Sequence, residues 1–177
     1  MNLRHFLAIL AAQTALLLGL IAQQELRLSS GTTVLLETAP VDPRDLLRGD
    51  YVILNYKISN LRTDLWDTMP QGNMPGLTVY VSLEKRGQFH EAVQLSTQRP
   101  AHQPHRVVLQ GQIHDLWNAS VRVRYGLERY FVKEGTGNPR GKLTVEAAVA
   151  ADGKPLIKHV FLDGKPYAEA MRLQGKR

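Results

Sequence analysis

Asp50 and Tyr51 open one run of residues with chemical potential, followed closely by Leu54 and Tyr56. A second run gathers Tyr125, Glu128, Arg129, Tyr130 and Glu134 within a few positions of two glycines, Gly126 and Gly135. Two carboxylates, Asp50 and Glu128, are the minimum for acid–base hydrolysis, provided they converge within about 5–10 Å across an open cleft. The same charged and aromatic residues can instead build a polar binding pocket, or form a satisfied network that pins a sheet corner. Both readings stand at this point, and the candidate binding residues are Asp50, Tyr51, Tyr125, Glu128, Arg129 and Tyr130. Gly49, Leu54, Tyr56, Gly126, Glu134 and Gly135 are expected to do structural work around them.

Other chemistry has less support. Ser82 and Lys85 have the serine–lysine spacing that works on a helix, where an offset of three shares a face. On a strand, the same offset puts them on opposite faces. Of six histidines only His102 and His105 lie close, in a loop with Pro100 and Pro104; His90, His114 and Asp115 would have to join them from elsewhere. A metal centre needs rigid, inward-facing donors, so neither a metal nor another cofactor is expected. Asp64 and Asp67 are too generic a pair to nominate a glycosidase. No cysteine is present, which excludes disulfides, thiolate metal sites and a cysteine nucleophile. No phosphate-cradling glycine loop, nucleophile elbow or His-Glu-x-x-His helix is found. No catalytic set is assembled.

The elements that must position these residues read as strands. Period-two alternation of apolar and polar residues covers 50–58, 77–83, 88–95, 119–125, 142–150 and 154–162, with a shorter candidate at 106–110. In the first of these, Val52, Leu54, Tyr56 and Ile58 share a face, and Tyr51, Ile53, Asn55 and Lys57 share the other. Asp152-Gly153 and Asp163-Gly164 are hairpin signals. Gly126 interrupts an alternating strand and marks a bulge or sharp bend. Helix is expected in one turn at 44–47 and at the end, 168–173; residues 60–68 read as a short helix or a loop. The expected fold is all-β, mainly an antiparallel sandwich or partly open barrel.

Gly49-Asp50-Tyr51-Val52-Ile53-Leu54-Asn55-Tyr56 matches every fixed position of the signature that names the GDYXXLXY family. The stretch 125–135 resembles that family's downstream block, with Leu127 where Ile is expected and Lys133 where Pro is frequent. The resemblance covers roughly 38–162. It implies a bacterial membrane-anchored domain with no assigned activity, often encoded near or joined to a multi-pass membrane protein. The run Leu46-Leu47-Arg48-Gly49-Asp50 also resembles the Gly-Asp box of signal peptidases. The serine and lysine those enzymes require are missing here, and a nucleophile without its base does no chemistry.

The N-terminus fits the anchor. Residues 6–22 carry no charge and span roughly 25 Å as a helix, enough for a thin bilayer core. Leu20 stands where a cleaved signal prefers a small residue, so an uncleaved anchor over 1–25 is expected, followed by an exported β-rich domain over 26–177. Arg4 ahead of the span places the N-terminus inside and the domain on the periplasmic side of the inner membrane. The net charge of +6 is uneven: residues 1–119 carry 10 basic and 10 acidic side chains, residues 120–177 carry 12 and 6. Such a surplus is either a solvated sheet face or a surface for anionic headgroups; nucleic acid is not an expected partner. The function expected is that of a non-catalytic accessory or binding domain working with a multi-pass membrane protein. The alternative is an envelope hydrolase using Asp50 and Glu128.

Overall fold

The computed structural model describes residues 2–39, 51–72, 74–133 and 139–174. Helix α1, Leu3–Ser30, is about 42 Å long at 1.5 Å per residue, and its most apolar window buries nothing against the rest of the chain. Thr14 donates its hydroxyl to the Leu10 carbonyl, so this polar side chain is satisfied within the helix. One helix is therefore long and apolar enough to cross a membrane or to act as a signal sequence.

The rest is mostly antiparallel β structure. Strand β1 (Thr32–Glu37) pairs with β9 (Leu143–Val149), which pairs with β10 (Pro155–Leu162) and then β11 (Lys165–Pro166). A second sheet orders β3 (Asn60–Arg62), β7 (Ser120–Arg124), β6 (Arg106–Trp117), β4 (Thr78–Arg86) and β5 (Phe89–Ser96). A two-stranded ribbon joins β2 (Tyr51–Ile53) to β8 (Arg129–Phe131). The sheets curl into a nearly closed barrel. At one seam β5 stands beside β1, and the Leu35 amide donates to His90 Nδ1 at 3.2 Å. At another, the Gln110 amide donates to the Gly153 carbonyl at 2.8 Å. Helix α2 (Tyr167–Gln174) closes the chain and packs on β10.

Alternating Val, Leu and Tyr side chains from both sheets fill the core: Leu36, Leu54, Tyr56, Leu83, Leu109 and Ile113 are all essentially inaccessible. Both aspartate–glycine turns close hairpins as expected, β9–β10 and β10–β11. The terminal helix is also where the sequence put it. The expected turn at 44–47 lies outside the described residues.

Three elements differ from the sequence reading. The expected strand 50–58 keeps its ladder only through Ile53, makes a single bridge from Tyr56 to Thr38, and turns into a 3-10 helix at Lys57–Ser59. The alternation survives the break, because Val52, Leu54, Tyr56 and Ile58 are all buried. Residues 60–68 contribute β3 and a 3-10 turn, Thr63–Leu65. Strand β6 runs well past Gln110. Gly111 looks like a breaker, but a Cβ there would lie 2.5 Å from Val123 Cγ1, so the glycine admits close packing of β7 and does not end the strand.

Candidate functional site: the clasp and the cleft behind it

The two candidate runs of residues, some seventy positions apart, are one structural unit. Strand β2 pairs antiparallel with β8, with Tyr51 opposite Phe131, Val52 opposite Tyr130 and Ile53 opposite Arg129. The ladder is extended by the Leu54 amide, which donates to the Glu128 carbonyl at 2.9 Å. Two tyrosines then lock the runs reciprocally. Tyr56 donates its hydroxyl to the Leu127 carbonyl at 2.8 Å, and Tyr125 donates its own to the Ile58 carbonyl at 2.6 Å. Both rings are buried, which pushes both phenols up from their ordinary value, and the nearby Glu128 carboxylate adds to the effect. They are therefore permanent donors.

Glu128 shapes the bend itself. Its two oxygens accept the amides of Tyr125 and Gly126, at 2.6 and 3.0 Å. Gly126 has a φ of +82°, a left-handed conformation that costs a residue with a Cβ about 1 kcal/mol or more. The carboxylate thus satisfies two amides that the turn exposes, and the interruption expected at Gly126 is a bend.

The polar side of the same strands faces outward. A cleft of about 760 Å³ lies between the β2–β8 ribbon and the β3–β7 edge. Arg122, Arg124 and Arg129 line it together with Tyr51, Ile53, Asn55 and Phe131. The Arg129 guanidinium sits over the Tyr51 ring, 5.3 Å from its centroid, and Tyr51 meets Phe131 edge to face at 6.0 Å. Arg122 donates from Nε to Asn60 Oδ1 at 3.3 Å. Among the described residues no carboxylate lies within ion-pairing distance of the three guanidinium groups. Glu128, the one acidic residue lining the cleft among the described residues, is occupied by backbone amides. Phe131 is 72% exposed, and Trp117, at the tip of the β6–β7 hairpin, is 74% exposed. Trp117 lines a smaller neighbouring cleft that shares Asn60 and Arg122 with the first.

Of the candidate binding residues, Tyr51, Glu128 and Arg129 therefore share the cleft. Tyr125 faces the core. Tyr130 turns away from the cleft and packs edge to face on Tyr167 of α2 at 5.4 Å. Tyr167 is buried, and that burial, followed by the effect of Tyr130, pushes its phenol up to about 12. Gly49, Asp50, Glu134 and Gly135 lie outside the described residues. Leu54 and Tyr56 are core, and Tyr51 is half-buried on the other face, as the alternation implied.

Arg122, Arg124, Phe131 and Ser59 were not among the candidates. Arg122 and Arg124 stood in the sequence as alternating strand cations, but nothing local told which wall they would face. Two other basic residues of the C-terminal surplus pair elsewhere. Lys158 pairs with Glu146 on the other sheet, and Lys142 and Lys57 both pair with Glu37. The two lysines hold the Glu37 carboxyl below its ordinary value. Ser82 is buried on β4 while Lys85 is exposed, as expected of strand neighbours offset by three. Asp64 pairs with Arg62, and Asp67 accepts from Gln94. Among the described residues no three His, Asp or Glu side chains converge as metal donors would.

An apolar N-terminal helix, a nearly closed antiparallel barrel and two tyrosine-bearing runs clasped together define a helix-tethered β domain. The chain belongs to the GDYXXLXY family: the family model described as GDYXXLXY protein matches residues 13–160. Searches of the curated proteins and of the solved structures found no match to the chain.

Proposed function

We propose that this protein is a non-catalytic binding domain, anchored in the inner membrane by residues 6–22 and presenting its barrel to the periplasm. There it would work as the accessory of a multi-pass membrane protein. Arg4 on the inner side of the apolar helix supports the orientation. The observation that carries the binding reading is the division of labour across the clasp. The candidate acid Glu128 spends both oxygens on backbone amides, while the cleft behind it offers three guanidinium groups and exposed aromatic surface. Arginine, tyrosine, tryptophan and phenylalanine are the residues from which interface hot spots are made. A hydrolase would instead need Glu128 free to exchange a proton with substrate.

A pull-down from detergent-extracted membranes tests this reading, using the full chain beside a Trp117→Ser plus Phe131→Ser variant. Both substituted rings are exposed, so the variant should fold as well as the wild type. A specific membrane protein recovered by the wild type and lost by the variant is the expected result. Equal recovery by both, or recovery of none, would overturn the reading.

A further inference from the structure

We infer that the Arg122–Arg124–Arg129 cleft is a binding site for a phosphate-class dianion, a phosphomonoester that is either soluble or the headgroup of phosphatidic acid. The inference deepens the binding reading above and rests on it. Arg122 and Arg124 are two apart on one strand, which sets their Cα atoms about 6.6 Å apart on one wall. Arg129 faces them from the β2–β8 ribbon. Guanidinium groups are planar forks of donors matched to phosphate and carboxylate oxygens, and they remain charged at any relevant pH. With Glu128 included, the charges lining the cleft among the described residues are three positive and one negative. The net of two positive charges suits a phosphate dianion better than a single carboxylate.

A second observation is independent of the arginines. Ser59 lines the same cleft and is only 5% exposed, yet its hydroxyl has no hydrogen-bond partner among the described residues. A buried hydroxyl without a partner is costly unless something else satisfies it. An anion held by the arginines would bring an acceptor into the cleft that Ser59 lines. The rim adds a further requirement. Tyr51 stacks under Arg129 and Phe131 stands exposed beside it, so the moiety carrying the phosphate has apolar surface to lie against. A volume of about 760 Å³ falls in the range of sites for small organic ligands, well above the size of a bare ion.

The test is calorimetric titration of the full chain in neutral detergent micelles. The ligands are pyrophosphate, malonate, and dioctanoyl phosphatidic acid in mixed micelles; the variants are Arg124→Gln, Arg129→Gln and Ser59→Ala. Saturable pyrophosphate binding, weakened about tenfold or more by each arginine substitution and less by Ser59→Ala, is the expected result. Affinity should fall as salt rises. Tighter binding of phosphatidic acid with the same dependence on the arginines would identify a lipid headgroup as the source of the phosphate. Preference for pyrophosphate would identify a soluble phosphate compound. Malonate binding as tightly as pyrophosphate would overturn the phosphate class. Absence of saturable binding, or binding indifferent to both arginine substitutions, would overturn the site. The pull-down variant leaves all three arginines in place and pyrophosphate has no apolar part to meet Phe131, so loss of a protein partner and loss of pyrophosphate binding are read separately.

Discussion

The inner and outer faces of the β2–β8 ribbon are built from alternate residues of the same short strands, yet they are opposites. Inside, Leu54 and Tyr56 meet Tyr125 and Leu127 in a dry clasp where each tyrosine hydroxyl has a backbone acceptor. Outside, Tyr51, Ile53 and Asn55 face Arg122, Arg124 and Arg129 across an open cleft whose cations lack acidic partners among the described residues. The letters L and Y that close the family signature are therefore the scaffold, and two of its open positions, Ile53 and Asn55, are cleft wall. The signature serves both faces: its Leu54 and Tyr56 hold the core, while its fixed Tyr51 lines the cleft.

The contrast can be broken most severely from the inside. Truncating Tyr56 to alanine removes a fully buried ring together with the bond to Leu127, and should cost about 3–5 kcal/mol in urea unfolding. The outward Phe131→Ser change on the neighbouring strand should stay within about 0.5 kcal/mol of wild type. Equal losses from the two would abolish the distinction between faces.

Glu128 sits between the two regions and sharpens the comparison. Glu128→Ala leaves the amides of Tyr125 and Gly126 without their acceptor, an expected loss of about 1–3 kcal/mol. The same change removes the negative charge lining the cleft, so pyrophosphate affinity should rise while stability falls. A catalytic acid would show a loss of turnover with little change in unfolding.

Smaller effects come from acid, at two contacts away from the clasp. Burial lowers the His90 pKa, its largest cause, and Lys85 acts in the same direction. The Leu35 amide also requires an unprotonated Nδ1. The unfolded state therefore binds the proton more readily, so stability is full above the ordinary histidine pKa near 6.5 and declines as pH falls below it. His90→Gln should flatten the unfolding midpoint between about pH 7 and pH 5. Glu37 acts in a lower window. Its carboxyl is held down first by Lys142 and then by Lys57, so its contribution is present above the ordinary carboxyl range near 4.5 and is lost as pH falls through the folded value. Glu37→Gln should remove that lower step and leave the histidine step unchanged.

Much of the inner face was legible in the sequence, because burial follows the period of two even where the ladder fails. Val52, Leu54, Tyr56 and Ile58 were assigned to one side, and they are buried together although the strand ends at Ile53. The pairing of β2 with β8 was not legible. It closes a loop of more than seventy residues, and nothing local in either run sets its register. The extension of β6 was hidden by Gly111, whose role depends on a contact with Val123 on the next strand. The cleft was half visible. Arg122 and Arg124, two apart in the alternating strand 119–125, share a face, but which other wall that face would meet is a property of the closed barrel. The one local signal that was available is a carboxylate two residues after a glycine with left-handed geometry, which is how Glu128 comes to bind its own turn.

Arg124 and Tyr125 are neighbours in the chain and point to opposite faces, so alanine substitution at each, read by urea unfolding and by pyrophosphate titration, tests the division directly. Arg124→Ala is expected to leave stability within about 0.5 kcal/mol of wild type and to weaken anion binding about tenfold or more. Tyr125→Ala is expected to cost about 3–5 kcal/mol, with the fraction that remains folded still binding the anion. A large loss of stability from Arg124→Ala, or loss of anion binding by the folded Tyr125→Ala protein alone, would contradict the separation of scaffold from site.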